Sequence, residues 1–420
     1  MNDQTPSPNE PMRVLFMQSQ TYYGADSRIH GLLMQHLDRQ QVQVHVALNY
    51  GNDHQKSASA AALENIPHLN VRATRFGASI YGRSGQKVLG DVLKQALPAF
   101  YSLAGLLGYI RKHKIQVIHC TEKPRDAFFG FLLSRLSGAK CLVHLHVKAE
   151  DWIDPKVQWA MRNADALVGV SRFVSDSMVE MGFPEDKTYF VHNSLELDDW
   201  DPNLDGSPIR QEFGISPQAP LLLIVSRLFY WKGHSELLKA LSVLKQTVPE
   251  FKLLIVGDDD PRAHPGRSSY SAELKAQAQN LGLAEHVIFT GFRSDIPQLM
   301  AACDIYSMPS FEEPFGMVFL EAMAMKKPVI ALNNGGSREI VEHGVSGLLS
   351  PPQDINQLAA NIQTLLENPG LRKKMGDCGR SKVETRFTPA RMSSEVMKIY
   401  KHKLFPEKYR DFAYYRKDVL

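Results

Sequence analysis

Cysteine is scarce in this chain of 420 residues. The four present, Cys120, Cys141, Cys303 and Cys378, stand far apart and form no CxxC pair. That spacing excludes a disulfide framework and a cysteine-based zinc module, and the residues read as buried free thiols of a reducing compartment. Long apolar runs are missing too: none reaches the ~18 residues that a membrane-crossing helix requires. Charge of one sign is not in excess. Lysine and arginine number 48 against 45 aspartates and glutamates, and a net +3 is too small a field to imply nucleic-acid binding. No internal repeat is visible, and the only biased stretch is the start, MNDQTPSPNEP. Residues 1–11 lack the basic start and apolar stretch of a leader and are expected to form a disordered tail.

What is present is an ordinary globular composition, 44% apolar and 22% charged, with strands and helices in alternation. Strand-like runs occur at Arg13–Gln18, Val42–Leu48, Ile115–His119, Cys141–Val147 and Ala166–Val170. A second series occupies Leu221–Ser226, Lys252–Gly257, His286–Thr290, Asp304–Met308 and Pro328–Leu332. Helical patterns between them predict an α/β fold of two Rossmann-like, doubly wound domains, with ligands at the carboxyl ends of the strands in the cleft between. The acidic, Gly/Pro-punctuated stretch Leu197–Pro217 marks the linker. The expected division is 12–202 and 203–395, with 396–420 as a helix returning to the first domain.

The densest chemistry lies in PSFEEPFGMVFLEAMAMKKPVIALNNGGSRE, residues 309–339. Met317 to Met325 is apolar except for Glu321, and a carboxylate among such neighbours is costly unless it has a partner or ligand. Gly316 suits a tight helix entry. The backbone N–H groups around this entry, at Phe315, Gly316 and Met317, offer a seat for phosphate. Glu321 then stands roughly 7–8 Å along the helix, about the distance from a diphosphate to the ribose of the same nucleotide. A structural alternative is a core helix whose acid pairs with an arginine.

Glu313 and Glu321 in a Glu-x7-Glu spacing, with Pro-Phe-Gly between and Gly335-Gly336 and Glu339 beyond, resemble the donor-site signature of retaining nucleotide-sugar glycosyltransferases of family 4, which have the GT-B fold. Ser226-Arg227-Leu228 and Lys232-Gly233 resemble that family's Gly-Arg-Leu-x3-Lys-Gly, with Ser226 in place of the first glycine. The resemblance implies that Arg227 and Lys232 neutralise the departing diphosphate. It implies that Glu313 and Glu321 orient the donor, and that Gly257, Gly291 and Phe292 line the nucleotide. Asp258-Asp259-Asp260 reads as a solvated turn, and neither a metal nor another cofactor is expected. The loop 261–271, with Arg262, His264 and Arg267, is longer than is usual in the family.

The first domain is then expected to serve the acceptor. Gly24-Ala25 stands where the family usually has Gly-Gly, and Ala25 gives up free access to positive φ. His146 matches a histidine placed near the donor sugar. His144 shares its strand face, and a zinc reading of these two with His119 is set aside in favour of a sugar contact. Asn193-Ser194-Leu195-Glu196 resembles the family's Asn-Gly-Val-Asp. Leu97–Ile110, followed by Arg111-Lys112-His113-Lys114 and joined by Arg72, Arg75, Arg83 and Lys87, reads first as a core helix with a cationic end. Its other reading is a peripheral contact with an anionic membrane face. The expected protein is a cytoplasmic retaining glycosyltransferase. It would move a sugar from a nucleoside-diphosphate donor to a hydroxyl of a polysaccharide, glycolipid or small glycoside. A nucleotide-sugar 2-epimerase and a non-catalytic GT-B binding protein are the alternatives.

Overall fold

The computed structural model describes residues 10–50, 56–76, 86–260 and 269–407. The chain divides into two compact units, Met1–Asn193 with Pro389–Leu420, and Ser194–Thr388. Arg83, the loop 261–268 and the aromatic residues Tyr409, Phe412, Tyr414 and Tyr415 lie outside the described residues, as does most of the N-terminal tail. So does the side chain of Lys87.

The first unit is built on β1 (Met12–Gln18), β2 (Val42–Asn49), β3 (Asn70–Thr74), β4 (Val117–Thr121), β5 (Lys140–Leu145), β6 (Ala166–Gly169) and β7 (Thr188–Phe190). Among the described residues these form one sheet in the order β3-β2-β1-β4-β5-β6-β7, with every pairing parallel. Parallel strands covered on both faces read as continuous apolar runs, and β4 and β6 are buried at every position. The second unit carries β8 (Leu221–Val225), β9 (Lys252–Val256), β10 (Val287–Gly291), β11 (Ile305–Ser307), β12 (Val329–Leu332) and β13 (Gly347–Ser350). Their order is β10-β9-β8-β11-β12-β13, again parallel throughout. Strand order reverses between β1 and β4 in one sheet and between β8 and β11 in the other. These are the points where loops part and ligands enter doubly wound folds.

The ten anticipated strands all form, within two residues of the expected limits. The three unanticipated ones, β3, β7 and β13, are all edge strands. β3 is largely exposed and β7 has three residues, so neither carries the apolar run of a central strand. The expected linker Leu197–Pro217 belongs to the second unit, which begins at Ser194. Trp200, Ile209 and Ile215 are buried there, and Arg210 in the helix Ser207–Glu212 pairs with Asp304 at 2.8 Å. Its polar composition signals turns over a packed surface, with the apolar anchors too few to stand out.

The chain end is part of the first unit. After the helix Pro389–Lys398, a π-helical turn over Ile399–Leu404 brings Tyr400 into full burial, and its hydroxyl lies 2.6 Å from His119 Nδ1. Arg391 Nη2 donates to the carbonyl oxygen of His192 at 2.7 Å. The segment Leu97–Ile110 falls within the helix Gln86–Lys112 and is amphipathic. Leu106 and Ile110 are buried, while Phe100 and Tyr101 are exposed. The four cysteines are free; Cys120, Cys141 and Cys303 are buried and Cys378 is half-buried.

Candidate functional site

In the second unit, loops at the carboxyl ends of β8, β9, β11 and β12 are drawn together by glycine. After β8 the chain makes a single 3-10 turn, Tyr230–Lys232, then Gly233 at φ +80 starts the helix His234–Leu244. A Cβ on Gly233 would lie 2.0 Å from the carbonyl oxygen of Pro309, so only glycine lets the lysine loop meet the acid loop. The backbone N–H of Phe311 donates to the Trp231 carbonyl at 2.7 Å across the same junction. After β12, Gly335 (φ +57) lies against the backbone of Glu313, where a Cβ would approach to 2.8 Å. The N–H of Gly336 donates to the Glu313 carbonyl at 2.7 Å. Glu313 is thus held from both sides, and the Gly-Gly pair of the sequence motif is its backing.

These constraints bring Lys232 Nζ to 2.6 Å from Glu313 Oε2, with both side chains nearly buried. Ser310 Oγ donates to the same carboxylate oxygen at 2.9 Å, and Nζ stands 3.9 Å from the centre of the Trp231 ring. Burial draws the Lys232 ammonium below its ordinary range; Glu313 opposes the effect and the Arg227 guanidinium adds to it. Arg227 itself remains 63% exposed and pairs with the buried Asp260 at 2.8 Å. This corrects the solvated-turn reading of the aspartate run. Asp260 is buried against Arg227, and Asp259 accepts the N–H of Ser271 at 2.9 Å. A cation partner across a loop leaves no trace in local sequence.

Gly316 (φ +95) precedes the helix Met317–Ala324, whose fifth residue is the buried Glu321. Tyr306 on β11 is fully buried and feels the charge of both acids. Burial pushes its hydroxyl well above the usual range, and Glu321 and Glu313 both reinforce the shift. The side chain of Phe315 turns into the core, edge-on to Phe387 at 6.1 Å. That residue therefore offers a ligand its backbone alone. Gly257 (φ +140) follows β9 and Gly291 (φ +72) ends β10, and Phe292 projects into solvent, 76% exposed. Lys232, Glu313, Gly316 and Glu321 are brought into one neighbourhood with Arg227 beside them. Ser310, Tyr306 and Asp260 join it without having been anticipated.

In the first unit Gly24 caps the helix Ala25–His36 at φ −109, and Ala25 is simply the first helical residue. The positive φ thought to be lost at Ala25 is not required. A second polar cluster follows. Lys123 pairs with the fully buried Glu122 at 2.6 Å and with Asp26 at 3.8 Å. Asp126 accepts from the Ser19 N–H at 2.9 Å and the Thr121 hydroxyl at 2.8 Å. Burial pushes that carboxyl up to about 7. His146 lies just past β5, with its N–H facing Glu122 Oε2 at 3.3 Å and its Nε2 3.2 Å from His30 Nε2. His119 Nε2 lies 3.3 Å from His144 Nδ1. His30, on a helix remote in sequence, completes this group without a local signal.

Residues 206–382 match the family model of the group 1 glycosyl transferases, and residues 31–199 match that of glycosyltransferase family 4. A GDP-mannose-dependent phosphatidylinositol monomannoside mannosyltransferase of Mycolicibacterium smegmatis is 28% identical over 343 residues, 77% of this chain and 87% of that protein. The putative glycosyltransferase EpsD of Bacillus subtilis is 27% identical over 308 residues, 69% of this chain and 77% of that one. Among solved structures, Anabaena HepE, crystallised with UDP and glucose, superposes with a TM-score of 0.73 at 26% identity, covering 93% of this chain and 99% of its own. The chain belongs to the group 1, family 4 glycosyltransferases, enzymes whose two Rossmann-like domains make the GT-B fold.

Proposed function

We propose that the protein transfers a sugar, with retention of anomeric configuration, from a nucleoside-diphosphate sugar to a hydroxyl acceptor. The observation that carries this reading is the buried Lys232–Glu313 pair beside a glycine-capped helix start that leads to Glu321. The solved relative HepE was crystallised with UDP and glucose, and the mycobacterial relative is named for its use of GDP-mannose.

In this reading the diphosphate rests at the helix start after Gly316, with Arg227 and Lys232 as its cations. Charge grows on the departing phosphate as the sugar–oxygen bond breaks. Preformed donors aimed at that charge are worth about 2.7–4 kcal/mol each in lowering the barrier. Lys232 is desolvated and fixed by Glu313, so little reorganisation accompanies the step. Glu321 accepts the ribose hydroxyls and Glu313 orients the sugar. The acceptor hydroxyl gives its proton to the leaving phosphate oxygen on the same face, so no protein base is required. His146 is assigned to the sugar and the Gly24-Ala25 turn to the acceptor. No metal takes part in this scheme.

The test is a panel of nucleotide sugars with hydrolysis and transfer followed by mass spectrometry, alongside calorimetric titration of the nucleoside diphosphates. One donor should be slowly hydrolysed even without acceptor, and Glu321→Gln should weaken nucleotide affinity by about tenfold or more. Unchanged affinity in that variant would remove Glu321 from the ribose. An interconverted donor with no release of nucleotide would point to an epimerase instead.

A further inference from the structure

The glycosyl-transfer reading leaves one buried group of side chains in the first unit without a role. His30 from the helix Ala25–His36, His119 from β4 and His144 from β5 are all fully buried. Each can offer one ring nitrogen, and the three atoms lie within 4.8 Å of one another. We propose that His30, His119 and His144 form a binding site for a divalent transition-metal ion that favours tetrahedral nitrogen ligation, with Zn2+ as its occupant.

The spacing supports this. Tetrahedral zinc with bonds of about 2.0–2.1 Å separates neighbouring nitrogens by roughly 3.3–3.4 Å. His119 Nε2 and His144 Nδ1 are already 3.3 Å apart. A ring nitrogen of His30 lies within 4.8 Å of the ligand atoms of both. The Nε2 of His146, 3.2 Å from His30 Nε2, stands next to the fourth position.

The outer atoms of the rings support it as well. Histidines that bind metals usually have the far nitrogen fixed by a hydrogen bond, which sets the tautomer and aims the other lone pair. His119 Nδ1 is held by the Tyr400 hydroxyl at 2.6 Å, and His30 Nδ1 lies 2.6 Å from the Gln18 side-chain amide. With Gln18 Nε2 facing the ring, its Oε1 is buried without a partner. Turning the amide over lets Oε1 accept from His30 Nδ1–H. Both rings then present a bare Nε2 inward. His144 Nε2 is also buried with no partner, so no hydrogen bond at that atom stops the ring from turning toward an ion.

Protonation and charge are compatible. Metal binding needs neutral imidazole. Burial holds His30 down to about 3 and keeps His119 and His144 well below the usual histidine range. Asp26 and Glu122 both act electrostatically on His30 and supply negative charge near the ion. The competing account is a packed stack of neutral rings on Phe16, whose ring lies 4.7 Å from that of His119. The two accounts differ in whether an ion lies between His119 Nε2 and His144 Nδ1 or a hydrogen bond joins them directly.

Because the site is sealed, the ion must enter as the chain folds. The full-length protein should therefore be produced in minimal medium supplemented with Zn2+ or, separately, Co2+, then dialysed against chelator. Elemental analysis should find about one zinc per chain. The cobalt form should show the intense visible absorption of tetrahedral Co2+. His30→Leu with His144→Leu should abolish both signals, while His113→Leu, outside the cluster, should keep them. Circular dichroism and thermal unfolding report whether the double variant folds. Wild-type protein with less than about a tenth of an equivalent of metal would overturn the proposal. So would metal retained by a folded double variant, or a cobalt spectrum of octahedral type.

Discussion

At the scale of single residues, Lys232 and Glu313 form a unit whose members depend on one another. Removing one partner of a buried ion pair strands the other, at a cost of about 3–5 kcal/mol. Lys232→Met should therefore lower the melting temperature as well as slow transfer by about 10²–10³-fold. Lys232→Met combined with Glu313→Gln should regain much of the lost stability and none of the activity. Thermal unfolding beside single-turnover transfer separates the two effects; recovery of activity in the double variant would show that Lys232 does not serve the leaving group. Both residues were legible because lysine and glutamate stand at fixed offsets from glycines. Asp260, Tyr306 and His30 were not, since Arg227, Val225 and His146, to which they are joined, lie 33, 81 and 116 positions away in sequence. Distance in the chain hides such pairings from any local pattern.

At the scale of elements, central strands announced themselves, whereas of the four edge strands among the described residues only β10 did. A strand buried on both faces must be apolar along its length, as β4 and β6 are, whereas β3 at an edge needs only its last residue inside. The packing of β2 on the helix Gln86–Lys112 carries a pH dependence. His45 on β2 is fully buried, with its Nδ1 2.8 Å from the Tyr109 hydroxyl. Burial lowers it to about 4, and the nearby His113 and Arg13 reinforce the shift. Its folded value lies below the unfolded 6.5, so the unfolded chain binds the extra proton first. Stability from this group is whole above pH 6.5 and is lost as the pH falls toward 4. Between pH 6.5 and 5 the loss amounts to about 1–2 kcal/mol. His45→Asn should narrow the gap between melting temperatures at pH 7 and pH 5, and an unchanged gap would assign the acid sensitivity elsewhere.

At the scale of the whole molecule, the first unit is discontinuous, made of Met1–Asn193 and the returning segment from Pro389. Tyr400, Leu404 and Phe405 are buried in it. Truncation after Thr388 uncovers His119 and the strands around it. Its expected outcome is two-step thermal unfolding, with the lower step in the peptides of β1–β7 when followed by hydrogen exchange. Equal protection of those peptides with and without the segment would make the return ornamental. The same arrangement orders events at the ribosome. Strands β1–β7 emerge first, yet their sheet lacks its last apolar plug until every residue of the second unit has been synthesised. Residues 194–388 can settle while the earlier-made half still waits, so chaperones would be expected to dwell on the older part of the nascent chain.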